Sequence, residues 1–388
     1  MAHTVLLGLV YLSFISIGLP DGMLGVAWPA IRLQMDQPLA AVGAITMTMT
    51  ACSAASSLLA GSVVQRIGTG AVVAGSCLFT AMGLLGFSVA PSFGWLVALA
   101  IPLGLGAGAV DASLNHFVSA HYSSRHMNWL HGFWGVGATT GPLVMGVALA
   151  SSGGWTAGAR SIGLMQLGLT LVLFATMSLW SRETAHAPAD ADSPEQPSAH
   201  LQLQPPPLAM WLAPMCFLFY VSAEMGTGLW AASILVTDRG LAAGDASVWV
   251  SLYFGAITVG RFAVGLVANR IGNRRLVRLG IAVAMAGALL FALPSAFGGL
   301  SPVGLVLMGL GCAPIFPSLM HETARRFPPE VVRQLIGRQM TCAYAGSSVV
   351  PAAFGLMAAW AGLQTVMPVV VVLLLILLLV TSRLDRLT

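Results

Sequence analysis

Four ionisable side chains stand inside stretches that are otherwise apolar: Asp21, Asp111, Glu224 and Arg261. Asp111 lies in Gly104 to His121, GLGAGAVDASLNHFVSAH, with Asn115 four residues on, so on a helix the two share a face. Gly104 and Gly108 in the same stretch let a neighbouring backbone approach closely. An ionisable group at mid-bilayer costs about 2.5–3.5 kcal/mol on insertion scales, so it faces a bundle interior or a wet cavity and marks a pathway. A carboxylate withdrawn from water can bind and release a proton as its surroundings change. The plainer reading of Asp111 and Asn115 is a structural hydrogen bond between helices.

Asp21 follows Pro20 and is flanked by Gly18 and Gly22, a grouping that predicts a weakened helix with backbone groups bared beside the acid. Such a break suits a binding site where two repeats meet; the alternative is a hinge whose acid pairs with a neighbour. Glu224 is followed by Gly226, Gly228 and Trp230, and the Trp can offer a flat face to a sugar ring while its N–H seeks a partner. Glu224 then binds solute or a coupling ion, or else it holds Arg261, which sits about 14 Å along its helix from the water at a rise of about 1.5 Å per residue. An unpaired Arg there is expensive. His131 stands one turn beyond Asn128, with Trp134 continuing that face. Imidazole can bond a hydroxyl or join a proton path, although a lone helical His is equally a satisfied polar group. The candidate proton-coupling residues are therefore Asp21, Asp111 and Glu224. The candidate solute contacts are Asn115, Asn128, His131, Trp134, Trp230 and Arg261.

These residues need elements to hold them inside a bilayer. Of 388 residues 57% are hydrophobic and 8% charged, against about 25% charged in a typical soluble domain, so the chain reads as an integral membrane protein. The net charge of +4 comes from 17 Arg and no Lys, and it is read by position rather than as a nucleic-acid-binding surface. Cys52, Cys77, Cys216, Cys312 and Cys342 are scattered singly, without zinc or disulfide spacing, and read as packing residues. Met1 to Pro20 has neither a basic leader nor a small-residue cleavage site and reads as the first span.

A span needs about 20 apolar residues. Breaking the hydropathy at Arg, Pro and Gly clusters gives twelve, near 4–30, 39–64, 70–90, 94–121, 126–150, 159–180, 208–236, 246–268, 276–296, 301–324, 332–358 and 362–381. Ser181 to Pro207 carries four acids and six prolines and reads as a linker between a six-span bundle at 1–180 and another at 208–388. With the N-terminus inside, thirteen Arg fall on the cytoplasmic side against Arg32, Arg160 and Arg239 outside, which places both termini in the cytoplasm of an inner-membrane protein.

The halves repeat. Gly61-SVV-Gln65-Arg66-Ile67-Gly68 is echoed by Gly265-LVA-Asn269-Arg270-Ile271-Gly272 at an offset of 204; Gly104-Leu105-Gly106 is answered by Gly309-Leu310-Gly311 at 205, and Asp21 by Glu224 at 203. Over essentially its whole length the chain resembles the major facilitator superfamily. Its loop motif is present except that Gln65 and Asn269 stand where an acid is usual, which removes the family's charged brace at that loop. Gly18-LP-Asp21-GMLGVAWP, Asp111-ASL-Asn115, Met127-Asn128-WL-His131-GFWGVGATTGP and Ala313-Pro314-Ile315-Phe316-Pro317-Ser318 narrow the resemblance to the fucose permease-like sugar:proton symporters, with Asp111 where that group carries Glu. The stretch Gly137-ATT-Gly141-Pro142, a close-packing and bending element, also resembles the span-five motif of drug:proton antiporters.

The resemblance implies an all-α membrane protein of twelve transmembrane helices in two pseudo-symmetric six-helix bundles, with spans one, four and seven lining a central cavity. Spans three, six, nine and twelve, free of internal acids, face lipid. The expected function is uptake of a small polar solute, a sugar first, by proton symport and alternating access; the alternative is proton-coupled efflux of drugs or metabolites. A receptor built on this scaffold would need more than Arg383 to Thr388 after its last span. No metal spacing, nucleophile elbow or phosphate-cradling loop suggests an enzyme, and no filter repeat suggests a channel. The expected partners are the solute, protons and the lipid bilayer, with no nucleic acid, no cofactor and a monomeric chain.

Overall fold

The computed structural model describes residues 2–122, 124–184, 206–294 and 300–388. These are almost entirely helical, with no strand among them. In chain order the long helices are α1 (Ala2–Gln34), α2 (Val42–Ile67), α3 (Thr69–Phe87), α4 (Phe93–His121), α5 (Ser124–Ala150) and α6 (Gly154–Ala175), followed by the short α7 (Met177–Thr184). After the linker come α8 (Pro207–Ser233), α9 (Ala243–Ile271), α10 (Asn273–Phe291), α11 (Leu300–Cys312), α12 (Ile315–Arg326), α13 (Pro329–Ala361) and α14 (Val366–Leu387). Most of the linker, 185–205, lies outside the described residues.

Among the described residues eleven spans are long and apolar enough to cross a membrane, with α11 and α12 counted as one. The remaining expected span, the ninth in chain order, is α10. It is a 19-residue helix, but Arg274, Arg275 and Arg278 in its first turns charge it beyond the apolar run a span normally shows. The tenth span is not one continuous helix: it breaks at Ala313 and Pro314, because proline cannot donate the bond a continuing helix needs.

The expected break beside Asp21 is not found. α1 runs unbroken through Pro20, and the glycines beside the acid serve close packing instead. A Cβ on Gly18 would lie 2.2 Å from Trp134 O, and one on Gly22 would lie 2.4 Å from Ala138 O, so α1 and α5 touch backbone to backbone. Gly104 and Gly108 do the same for α4 against α2, with Met49 O and Ser53 O at 2.2 and 2.1 Å from their would-be Cβ atoms. Cys77, Cys216 and Cys312 are buried and all five cysteines are free.

The sequence repeat has a structural counterpart. Gly68 and Gly272 end α2 and α9 at φ 84° and 85°, a left-handed turn that glycine alone adopts without strain. Just beyond, equivalent corners of the two halves are joined by different chemistry. In the second half Arg274 and Arg326 pair with Glu322 at 3.1 and 3.3 Å, and Arg326 and Arg278 pair with Asp385 at 2.6 and 2.5 Å. In the first half, positions offset by the repeat are Gly70, Phe117 and His121. There Trp180 of α7 packs on Gly70, and the Phe117 ring lies 5.4 Å from Trp180 and 4.5 Å from His121.

The halves meet through α1 with α8, α2 and the turn Leu39–Ala41 with α13, and α5 with α9. The first two seams close at the end away from the termini: a Cβ on Gly25 would lie 2.8 Å from the carbonyls of Gly228 and Leu229, and one on Gly43 would lie 2.8 Å from the Ala352 Cβ. α3, α6, α10 and α14 make no extensive contact with the opposite half.

The two corners should respond differently to perturbation. Glu322→Gln leaves the enclosed Arg326 short of a partner and should cost on the order of 3–5 kcal/mol. Trp180→Ala should cost a similar amount, about 3–5 kcal/mol, through lost packing. Unfolding followed at low and high salt separates them: the wild-type protein and Trp180→Ala should share one salt response, and Glu322→Gln should show a weaker one.

Candidate functional site

Three acids and one Arg within the membrane-spanning helices fall into two groups. Glu224 on α8 and Arg261 on α9 form an ion pair, Arg261 Nη2 to Glu224 Oε1 at 2.9 Å, with both side chains largely enclosed. Two phenols pack around the pair: Tyr253 donates to the Glu224 carbonyl at 2.9 Å, and Tyr220 donates to the Cys312 carbonyl at 3.0 Å. Of the two readings of Glu224, the geometry has the acid holding Arg261. The Arg261 Nε is buried and has no hydrogen-bond partner among the described residues, while Tyr220 also borders the guanidinium.

Asp21 and Asp111 form the second group, and among the described residues neither is paired with a cation. Asp21 Oδ2 accepts a hydrogen bond from Trp134 Nε1 at 2.9 Å. Asp111 Oδ1 accepts from Asn115 Nδ2 at 3.0 Å, and the same amide donates to the Asp111 carbonyl at 2.9 Å. The 3.6-residue period that puts Asp111 and Asn115 on one face therefore yields a local acid–amide unit rather than a bond between helices. The two carboxylates are close enough for their charges to interact, although one is on α1 and the other on α4. Asp21 is exposed and Asp111 half-buried.

His131 comes from the face of α5 that carries Trp134. Its ring meets Phe14 edge-on at 5.8 Å, it is exposed, and it lies within electrostatic reach of Arg261. Among the described residues it has no hydrogen-bond partner, so the reading of a satisfied core histidine does not fit. Trp134 stands between the groups, with the Arg261 guanidinium carbon 5.6 Å from its ring centre. The side chain of Asn128 lies outside the described residues.

Trp230 does not fit the expectation of a solute platform. It is fully buried, its N–H donates to Pro351 O at 2.8 Å, and its ring packs on Gly355. All of its surface is spent joining α8 to α13. One residue missed by the sequence reading is Tyr344 of α13, which hydrogen-bonds Ser57 of the opposite half and lies within electrostatic reach of Asp111. A tyrosine set among small residues in Thr341-Cys342-Ala343-Tyr344-Ala345-Gly346 was the available signal.

Ionisable side chains held inside a two-bundle helical membrane fold are an arrangement found in solute carriers. The chain belongs to the Major Facilitator Superfamily, which it matches over residues 10–297 and again over 212–387. No curated protein sequence matches it. Among solved structures it is similar to a bacterial homologue of the human lysosomal transporter Spinster, in an inward-facing and unoccupied conformation, with a TM-score of 0.78 and 14% identity over 100% of this chain and 97% of that one. It is also similar to the nucleoside transporter NupG (TM-score 0.76, 14% identity, 97% and 98% of the two chains). A third similar structure is the peptide transporter POT (TM-score 0.76, 14% identity, 98% and 95%). At this identity the likeness speaks for the fold alone.

The Glu224–Arg261 pair yields a direct test. Glu224→Gln strands an enclosed guanidinium and should lower stability by roughly 3–5 kcal/mol, whereas Glu224→Gln combined with Arg261→Met should recover most of that loss. Thermal unfolding in detergent reads both, and a double variant no more stable than the single one would show that the loss does not come from a stranded guanidinium.

Proposed function

We propose that this transporter takes up a small polar solute, a sugar foremost, in symport with protons, by alternating access of bundles 1–180 and 208–388 joined by the linker 181–207. The observation that carries the reading is the Asp21 and Asp111 pair: two interacting carboxylates beside the seam between halves, each held by one neutral donor and neither by a cation. Two like charges this close are relieved when one carboxylate takes a proton. Rocking the halves changes their contact with water and with Tyr344 of the opposite bundle, which ties proton release to solute movement.

Asn115, His131 and Trp134 supply an amide, an open imidazole and an indole face beside the acids, groups suited to hydroxyls. That mixture favours a polar solute over the hydrophobic cations of a drug antiporter, whose pocket would be aromatic and apolar. We further propose that the end bearing both termini faces the cytoplasm of the inner membrane, because thirteen of the 17 Arg cluster at that end by the span order.

In oriented vesicles Asp111→Asn should abolish accumulation driven by a proton gradient while sparing counterflow exchange. Undiminished accumulation in that variant would remove Asp111 from proton coupling. A thermal-shift screen of sugars, nucleosides and small peptides on the purified protein should return sugars among its hits, since a true solute stabilises the folded state by mass action; a hit set without carbohydrates sends the assignment to another class.

A further inference from the structure

Asp21 and Glu224 occupy equivalent places in the sequence repeat, yet the first is held by an indole and the second by a guanidinium. Those two partners meet. Trp134 donates its N–H to Asp21 Oδ2 at 2.9 Å and presents its ring to Arg261, whose guanidinium carbon lies 5.6 Å from the ring centre. Arg261 in turn holds Glu224 at 2.9 Å. A chain of four side chains thus runs from α1 through α5 to α9 and α8, crossing from one half to the other at a single ring.

We propose that Trp134 is the coupling residue, a positioning group that passes the charge state of Asp21 to the Glu224–Arg261 pair and so sets how firmly α5 grips α9. This inference rests on the proton-coupled reading given above. An indole is suited to the task because it has one donor, Nε1–H, and a negative face. With Asp21 ionised the bond is charge-assisted, about twice as strong as a neutral one. Donation to an anion polarises the ring and strengthens its hold on the cation above it. When Asp21 takes a proton from water, the bond weakens, the ring is less firmly oriented and Arg261 loses its partner across the seam. The guanidinium can then shift, since its Nε is bound to nothing in the described residues. Elsewhere the α5/α9 seam is closely packed, with Gly132 against the Phe262 ring, Gly135 against Thr258 and Ser251 Oγ donating to Thr139 O at 2.7 Å. Loss of the Trp134 clasp removes the tie in this seam that answers to the charge on Asp21, and so loosens α5 on α9.

Other titratable and charged groups belong to the same network: Asp111 of α4 acts on Asp21, His131 of α5 lies within electrostatic reach of Arg261, Glu224 of α8 pairs with Arg261 of α9, and Tyr344 of α13 lies within electrostatic reach of Asp111. The test must therefore isolate the part of the pH response that belongs to Asp21. Spin labels at Gln65 on α2 and Gln334 on α13, both exposed, report the spacing of the halves at the end bearing the termini. The full chain is used in nanodiscs, with the incompletely buried Cys52 and Cys342 replaced. Between about pH 8 and about pH 5, which brackets carboxylate titration, acidification should raise the short-distance population by about fivefold, the order set by losing charge assistance on one hydrogen bond. Asp21→Asn should remove a defined part of that response. Trp134→Phe, which keeps the ring and loses the N–H, should remove the same part, and the two together no more.

Arg261→Lys approaches from the other end of the chain. It keeps the charge on Glu224, removes the planar guanidinium from the ring and should again remove that part. A full wild-type response in Trp134→Phe, or in Arg261→Lys should the Phe variant not fold, overturns the coupling role, as does a double variant that loses the sum of the single losses. If instead Asp21→Asn with Asp111→Asn responds to pH as the wild type does, proton coupling through these acids fails, and the role of Trp134 goes with it.

Discussion

A bilayer interior offers no water to a stranded charge, so each ionisable group inside it must bring a partner or line a wet surface. That requirement divides this protein. The second half meets it internally: Glu224 and Arg261 neutralise one another between adjacent helices, with phenols on either side. The first half meets it differently, with two acids that have neutral donors only and an exposed flank on Asp21. Asp21 and Glu224 hold equivalent positions in the repeat, and divergence of their partners put one in an ion pair and left the other to an indole.

The spans were legible because hydropathy is a direct statement about lipid. Ends expected at 94–121 and 126–150 fall within two residues of α4 and α5. The Glu224–Arg261 pair was legible for the same reason: a lone Arg in an apolar helix needs an acid, and the neighbouring span held one. Less legible was what a glycine does. Gly18 and Gly22 read as helix breakers around Asp21, yet α1 is continuous and the glycines admit α5. A glycine lacks a side chain in either role, and only the neighbour decides which role it plays. Trp230 misled in a similar way, since amphipathic rings serve solutes and buried seams equally well, and here a backbone carbonyl had already claimed its N–H.

The corner motif shows why a repeat in sequence does not carry a repeat in chemistry. Gly68 and Gly272 fix the same left-handed turn in both halves, and the next helix is launched in the same direction each time. What then binds the corner is free to vary: guanidinium and carboxylate groups in one half, stacked rings in the other. Both satisfy the same geometric demand, that three helices stay together at the end of their bundle. The periodicity of the chain exposes the turn, and the exchange of ions for aromatics shows in hydropathy as the charged start of α10 against the apolar start of α3, but hydropathy does not say which side chains meet at the corner.

Within the first half, helices α1 and α5 pack so closely that carbonyls lie where side chains would be. This fixes the register of Asp21 against Trp134, since sliding by a single residue would drive a Cβ into a backbone oxygen. The seams between halves follow another rule. α5 and α9 meet over a long face that includes Gly132 against the Phe262 ring, Gly135 against Thr258 and the hydrogen bond from Ser251 Oγ to Thr139 O, and α1 meets α8 closely at Gly25. Among the described residues few hydrogen bonds cross this boundary, so rearranging it breaks few polar contacts, whereas distorting a half would force backbone atoms together. The position of Trp134, anchored to α1 by its N–H and facing α9 with its ring, is consequential for that reason: it belongs to the rigid half and touches the boundary.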